Sequence, residues 1–126
     1  MILGFKQQFI EPIINRIKIH TIREDKNDRW KANRIINAAT GVRTKNYNQF
    51  AEMVCHSTQK INIYPERKAI EIYNDPETID WLGNFLSPSQ IEILSENDGF
   101  EDVEDFWKWF DKPFRGKIIH WTELKY

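Results

Sequence analysis

The sequence predicts an α+β domain, a curved mixed or antiparallel β-barrel with helices packed on its side. Three observations carry this. Strand-like segments open the chain, fill its middle and close it, while helical patterns cluster near residues 8–17 and between 76 and 111. That order lacks the regular strand–helix alternation of a doubly wound sheet. A length of 126 residues suits one domain, so residues 1–126 are read as a single unit with its own core. Composition agrees: 40% hydrophobic, 29% charged and 13% aromatic residues, with five Trp, describe a chain able to bury a large core.

Met1–Phe5 is a short apolar run and reads as the first strand. In Gln8–Ile17, Phe9, Ile10, Ile13, Ile14 and Ile17 recur at helical spacing, with Pro12 early enough to be tolerated in a first turn. Ile17–Arg23 (IKIHTIR) alternates and is rich in β-branched residues, which predicts a strand. A charged loop, Glu24–Asp28, leads through Trp30–Asn33 to a strand at Arg34–Thr40, and Gly41 marks a turn or bulge. Tyr47–Tyr73 reads as a meander, with Ile61/Ile63 and Ile70/Ile72 alternating on either side of a Pro65-Glu66-Arg67 turn.

Pro76–Phe85 offers Ile79, Trp81, Leu82 and Phe85 at helical spacing. Ser87, Pro88 and Gln90 form a capping-box start for a helix carrying Ile91 and Leu94, which Asn97-Asp98-Gly99 stops. Asp102–Asp111 follows as another helix, with Val103, Phe106, Trp107 and Phe110 on its inner side and Trp109 outermost. Lys117–Leu124 (KIIHWTEL) reads as the last strand.

Charge is uneven although the net is only −1. Residues 1–45 hold ten Lys/Arg against four Asp/Glu, and residues 46–126 hold eight against fifteen. The first third can offer a positive face to phosphates, or the two halves can neutralise each other in the fold. The one cysteine, Cys55, cannot make an internal disulfide, which points to a reducing, cytoplasmic setting. No stretch reaches the roughly 20 apolar residues that span a bilayer, and MILGFKQQF is too short and polar for a signal peptide, so no membrane partner is expected.

The stretch Lys18–Trp30 concentrates the residues able to do chemistry. Thr21 and Arg23 share a face of the predicted strand, whereas Lys18 can join them only from the turn before it. His20 points away from Thr21, which excludes a His20–Thr21–Asp25 triad. His20, His56, His120 and Cys55 make no spaced ligand set, so no metal and no cofactor are expected. Arg29, Trp30, Lys31 and Arg34 form a basic–aromatic cluster in which Trp30 either stacks on a base or, the preferred reading, plugs the end of the barrel. Arg43 and Lys45, in Thr40–Tyr47, sit in a loop that either rims the cleft or is a plain exposed hairpin. The acidic run Glu92–Asp105, with seven carboxylates and no base, reads as a solvated face apart from Asp98 at the helix stop.

Phe5, Phe9 and Ile13, the run K-x-x-T-I-R at Lys18–Arg23, the loop to Trp30, Asp98-Gly99-Phe100 before a helix with Phe106 and Trp107, and the closing Ile118–Trp121 together resemble an ASCH domain of the PUA-like superfamily. The resemblance spans most of the chain. It implies a PUA-like barrel with a cleft beside the first helix, and RNA or a nucleotide or nucleoside as partner. Binding would fall to Lys18, Arg23, Arg29, Trp30, Arg43 and Lys45. Some members of the family are amidohydrolases that deacetylate N4-acetylcytidine with a Lys, a Thr and a Glu. Lys18 and Thr21 match the first two, and the acid position falls at Asp98, an Asp in place of Glu. Others are associated with ribonuclease action. A third class of function, a protein-interaction factor using the exposed acidic helices, stays open at this level.

Overall fold

The computed structural model describes residues 1–73 and 83–126. Its strands are β1 (Ile2–Gly4), β2 (His20–Arg23), β3 (Ile35–Thr40), β4 (Asn48–Val54), β5 (Ser57–Tyr64), β6 (Ala69–Tyr73), β7 (Asn84–Phe85) and β8 (Phe114–His120), and its helices are α1 (Ile10–Ile14), α2 (Pro88–Asn97) and α3 (Val103–Trp109). The α+β class stands. The described strands form two sheets and no closed barrel: a mixed three-stranded sheet in the order β1-β3-β4 and an antiparallel five-stranded sheet in the order β2-β8-β5-β6-β7. The predicted barrel is corrected to that extent, because strand partners far apart in sequence decide closure and no local pattern encodes them.

The central strands show why the sequence pairs this way. Ile61 and Ile63 of β5 face Ile72 and Ile70 of β6 in antiparallel register, and all four are buried. β8 pairs with β5 on one side and β2 on the other, placing His20 opposite His120 and Thr21 opposite Ile119. Ile118 and Ile119 are both buried, so β8 is apolar on both faces at its centre of pairing, as a central strand should be. One hydrophobic cluster joins Leu3, Ile36, Ala38, Ile61, Ile70, Leu94, Phe106 and Ile118 across both sheets and the helices.

Several predicted boundaries move, each for a local reason. The first helix is short: a 3₁₀ turn at Gln7–Phe9 runs into α1, which stops at Ile14. Arg16 takes a left-handed conformation (φ 61°), and the amides of Ile17 and Lys18 both donate to Pro12 O. That closure turns the chain out of the helix. Ile14 and Ile17, apolar at helical spacing, are more than half exposed. The strand predicted from Ile17 therefore starts at His20, and Lys18 lies in the turn before it. The capping box at Ser87 and Gln90 is present, and at α3 the Asp102 side chain accepts from the Asp105 amide. Phe85 belongs to β7 and not to a helix; Ile79, Trp81 and Leu82 of that predicted helix lie outside the described residues. The last strand begins at Phe114 and ends at His120. Among the described residues no helix is long and apolar enough to cross a membrane.

Candidate functional site

A cleft of about 400 Å³ opens where β1, the first helical turn, β2 and the α2–α3 junction meet. Lys18, Thr21, Arg23 and Asp98 all line it, with Phe5, Phe9, Phe100 and Trp109 among its walls. Three local events and one long-range hydrogen bond bring these groups together. The left-handed closure of α1 leaves Lys18 in the turn leading to β2. Parity on β2 puts Thr21 and Arg23 on one face. The stop of α2 leaves Asp98 as its last cap. The amide of Ile19 donates to Asn97 O at 2.8 Å, tying the start of β2 to that helix end.

Lys18 is 2% exposed. Its Nζ donates to Asp98 O at 2.5 Å and to Asp98 Oδ1 at 3.2 Å, and it lies 4.6 Å from the centre of the Phe9 ring. Burial pushes the Lys18 ammonium below its ordinary pKa of 10.5, and the Asp98 carboxylate opposes that shift without cancelling it. A neutral Lys18 has two N–H groups. Both are engaged by Asp98, which leaves the nitrogen lone pair free to accept a proton.

Arg23 is the second cation of the cleft. Its Nε donates to Thr21 Oγ1 at 3.2 Å, its Nη2 donates to Gly4 O at 2.6 Å, and its guanidinium lies over Phe5 at 4.9 Å. Burial lowers its pKa as well, with Asp98 acting in the opposite sense. No carboxylate of the described residues forms an ion pair with it. A largely buried guanidinium with no carboxylate in direct contact favours a ligand carbonyl or anion beside it.

The other predicted binding residues fall elsewhere. Trp30 is 6% exposed and belongs to the core cluster, so it has no free face for a base. This corrects its place in the binding set, and because no closed barrel forms among the described residues, the ring packs in the core and does not plug a barrel end. Asp25 fixes the chain beside Trp30: its carboxylate accepts from the amides of Arg29 and Trp30 and pairs with Lys117, which also bridges to Asp28. Arg29 is exposed, and neither it nor Trp30 lines the cleft. Arg43 and Lys45 are exposed in the loop that follows Val42, and Val42 itself lines the cleft. Among the described residues no group of three or more His, Cys, Asp or Glu side chains could hold a metal ion.

Sequence reasoning missed two neighbours of the acid. His20 Nδ1 lies 3.0 Å from Asp98 Oδ1, and His20 Nε2 lies 2.5 Å from Tyr126 OH. Lys18 and His20 are two residues apart, so an extended chain sends both the same way. That parity was the available signal. Nothing in the sequence points to Tyr126, 106 residues from His20.

No family model, curated protein or solved structure matches the chain.

Proposed function

We propose that the cleft binds a nucleobase-bearing ligand and hydrolyses an amide on it, with an N4-acylated cytidine as the type substrate. We assign the chain, on the same grounds, to the ASCH type of PUA-like domain, in a reducing, cytoplasmic setting that suits its unpaired, buried Cys55. The observation that carries the reading is that Lys18, Thr21, Arg23 and Asp98 line one cleft although Lys18 and Asp98 are 80 residues apart. Aromatic walls supply flat apolar surface for a base, and the four polar groups supply acid, base, nucleophile and oxyanion donor in one place.

The chemistry follows from the groups present. In its neutral form, which burial favours, the Lys18 amine takes the Thr21 hydroxyl proton as Oγ1 adds to the acyl carbonyl. Arg23, which already donates to Oγ1, carries donors beside the oxygen on which charge develops. The C–N bond breaks as a proton passes from the Lys18 ammonium, by way of Asp98, to the leaving amine. Water then cleaves the Thr21 ester, releasing the carboxylic acid and restoring the hydroxyl. Asp98 is one methylene shorter than the Glu of the resembling enzymes, and its contact with Lys18 Nζ through both a main-chain and a side-chain oxygen supports a role at close range.

The test is release of acetate from N4-acetylcytidine by the wild type and by Lys18→Ala and Thr21→Ala. Turnover lost in both variants supports the reading. Absence of wild-type turnover at high enzyme concentration across several acylated nucleosides removes it. One observation favours a binding-only alternative: the exposed Arg43 and Lys45 continue from the cleft wall at Val42, a path for an RNA backbone. That alternative requires RNA affinity that weakens with added salt and with Arg23→Ala.

A further inference from the structure

Behind Lys18, the Asp98 carboxylate is part of a buried ring of hydrogen bonds. Asp98 Oδ1 faces His20 Nδ1 at 3.0 Å, and His20 is wholly buried. His20 Nε2 faces the Tyr126 hydroxyl at 2.5 Å, and that oxygen accepts from Asn97 Nδ2 at 3.0 Å. Asn97 precedes Asp98 in the chain, and its carbonyl holds the amide of Ile19, the residue before His20. The main chain of Tyr126 is itself fastened, its N donating to Gln59 Oε1 at 3.0 Å and its O accepting from Gln59 Nε2 at 2.9 Å.

One arrangement of protons satisfies this ring. An ionised Asp98 only accepts, so His20 carries its proton on Nδ1. Burial keeps the imidazole neutral, which leaves Nε2 bare and in need of a donor. The Tyr126 hydroxyl provides it while its own lone pair takes the Asn97 amide. The opposite tautomer would set the Nδ1 lone pair against the carboxylate.

We propose that His20 and Tyr126 are positioning residues of the cleft: the Tyr126 hydroxyl fixes His20 as the Nδ1–H tautomer, and His20 holds the Asp98 carboxylate turned toward Lys18. The catalytic consequence rests on the proposed amide hydrolysis, while the proton arrangement does not. Neither residue lines the cleft. They act through Asp98, as a carboxylate behind a catalytic group must be oriented to be useful.

The experiment is ¹⁵N NMR of the histidine-labelled full chain without substrate, in the wild type and in Tyr126→Phe. The expected wild-type result is a single Nδ1–H tautomer for His20 with an unprotonated Nε2. In Tyr126→Phe the Nε2–H tautomer gains population. With an acylated nucleoside, kcat falls about tenfold in Tyr126→Phe, the worth of roughly one hydrogen bond, and KM stays within about twofold. A wild-type Nε2–H tautomer overturns the proposal, and this measurement needs no variant to fold. Tyr126→Phe with unchanged tautomer and unchanged turnover overturns it too. A tautomer shift in a protein without turnover sustains the positioning role and removes the hydrolase reading, so the two failures are distinct.

Discussion

Lys18 and Asp98 meet through two hydrogen bonds, from one ammonium nitrogen to the main-chain and side-chain oxygens of the same residue. Both side chains are almost wholly buried. A buried pair of this kind is not a source of great stability, because desolvation offsets most of the attraction. It does make the removal of one partner costly. Lys18→Met is expected to lower stability by about 3–5 kcal/mol, leaving the carboxylate without its counter-charge. The pH dependence has a definite sign. The folded-state pKa of Lys18 lies below its ordinary 10.5, so between those two values the unfolded chain binds more protons. Stability from this group therefore rises as pH rises through that window, and the full cost of burying the charge applies below it. Urea midpoints at a series of alkaline pH values test this. The wild type should gain relative to Lys18→Met as pH approaches 10.5. Parallel curves would refute it.

Arg23→Lys retains the charge and loses the geometry. The guanidinium reaches Thr21 Oγ1 and Gly4 O from two different nitrogens while lying on the Phe5 ring. A lysine has one nitrogen and no planar face, so it cannot hold all three contacts. Loss of a charged hydrogen bond to the nucleophile should reduce kcat/KM on an acylated nucleoside by about 10–100-fold. A variant with wild-type kcat/KM would show that Arg23 serves only as a charge.

Gly99 is where the backbone makes room for the site. Its φ of 93° is one that L side chains rarely adopt, and a Cβ there would lie 2.9 Å from Lys18 Cδ and 3.1 Å from Phe9 Cδ1. Gly99→Ala thus combines backbone strain with a clash against the buried lysine stem. The expected cost is on the order of 1–3 kcal/mol from the backbone alone. Displacement of Lys18 should also cut turnover more than the loss of stability explains. Denaturation midpoint and kcat, measured on the same preparation, decide this. Unchanged kcat would mean that Phe9, rather than Lys18, yields to the new methyl group.

These residues show what a single sequence reveals and where it stops. Helix α2 was legible almost to the residue because its signals are local: Ser87 caps, Pro88 sits in the first turn and Gln90 closes the box. Its stop then placed Asp98. Lys18, Thr21 and Arg23 stood out because parity and a short motif are also local. The burial of Trp30 follows from residue type alone, since large aromatics are mostly buried. The first helix was overdrawn because Ile14 and Ile17 continue the apolar spacing beyond the point where Arg16 turns the chain. The division into two sheets and the ring through His20 and Tyr126 depend on contacts between residues distant in sequence, as with Ile2 and Asn37, His120 and Gln59, or His20 and Tyr126. Nothing periodic in the chain encodes such meetings.

His120 gives the last prediction, at the acid end of the pH scale. It is wholly buried opposite His20, with ring centres 5.3 Å apart. Its Nε2 donates to Gln59 Oε1 at 2.8 Å, while Nδ1 has no partner among the described residues. Burial, reinforced by the neighbouring His20, pushes its pKa down to about 3 from 6.5. The folded protein therefore resists protonation where the unfolded chain accepts it. Stability from this group is complete above 6.5 and is lost as pH falls from 6.5 toward about 3. Full passage through that window is worth on the order of 5 kcal/mol. His120→Asn keeps a donor near Gln59 and removes the titration. Its stability at neutral pH should be lower, because a smaller side chain leaves a cavity. Between pH 6.5 and about 3 its decline should be shallower than that of the wild type. Chemical denaturation at several acid pH values measures both slopes. Equal slopes would mean that His120 takes up its proton in the fold over the same pH range as in the unfolded chain, so that burial does not hold it neutral.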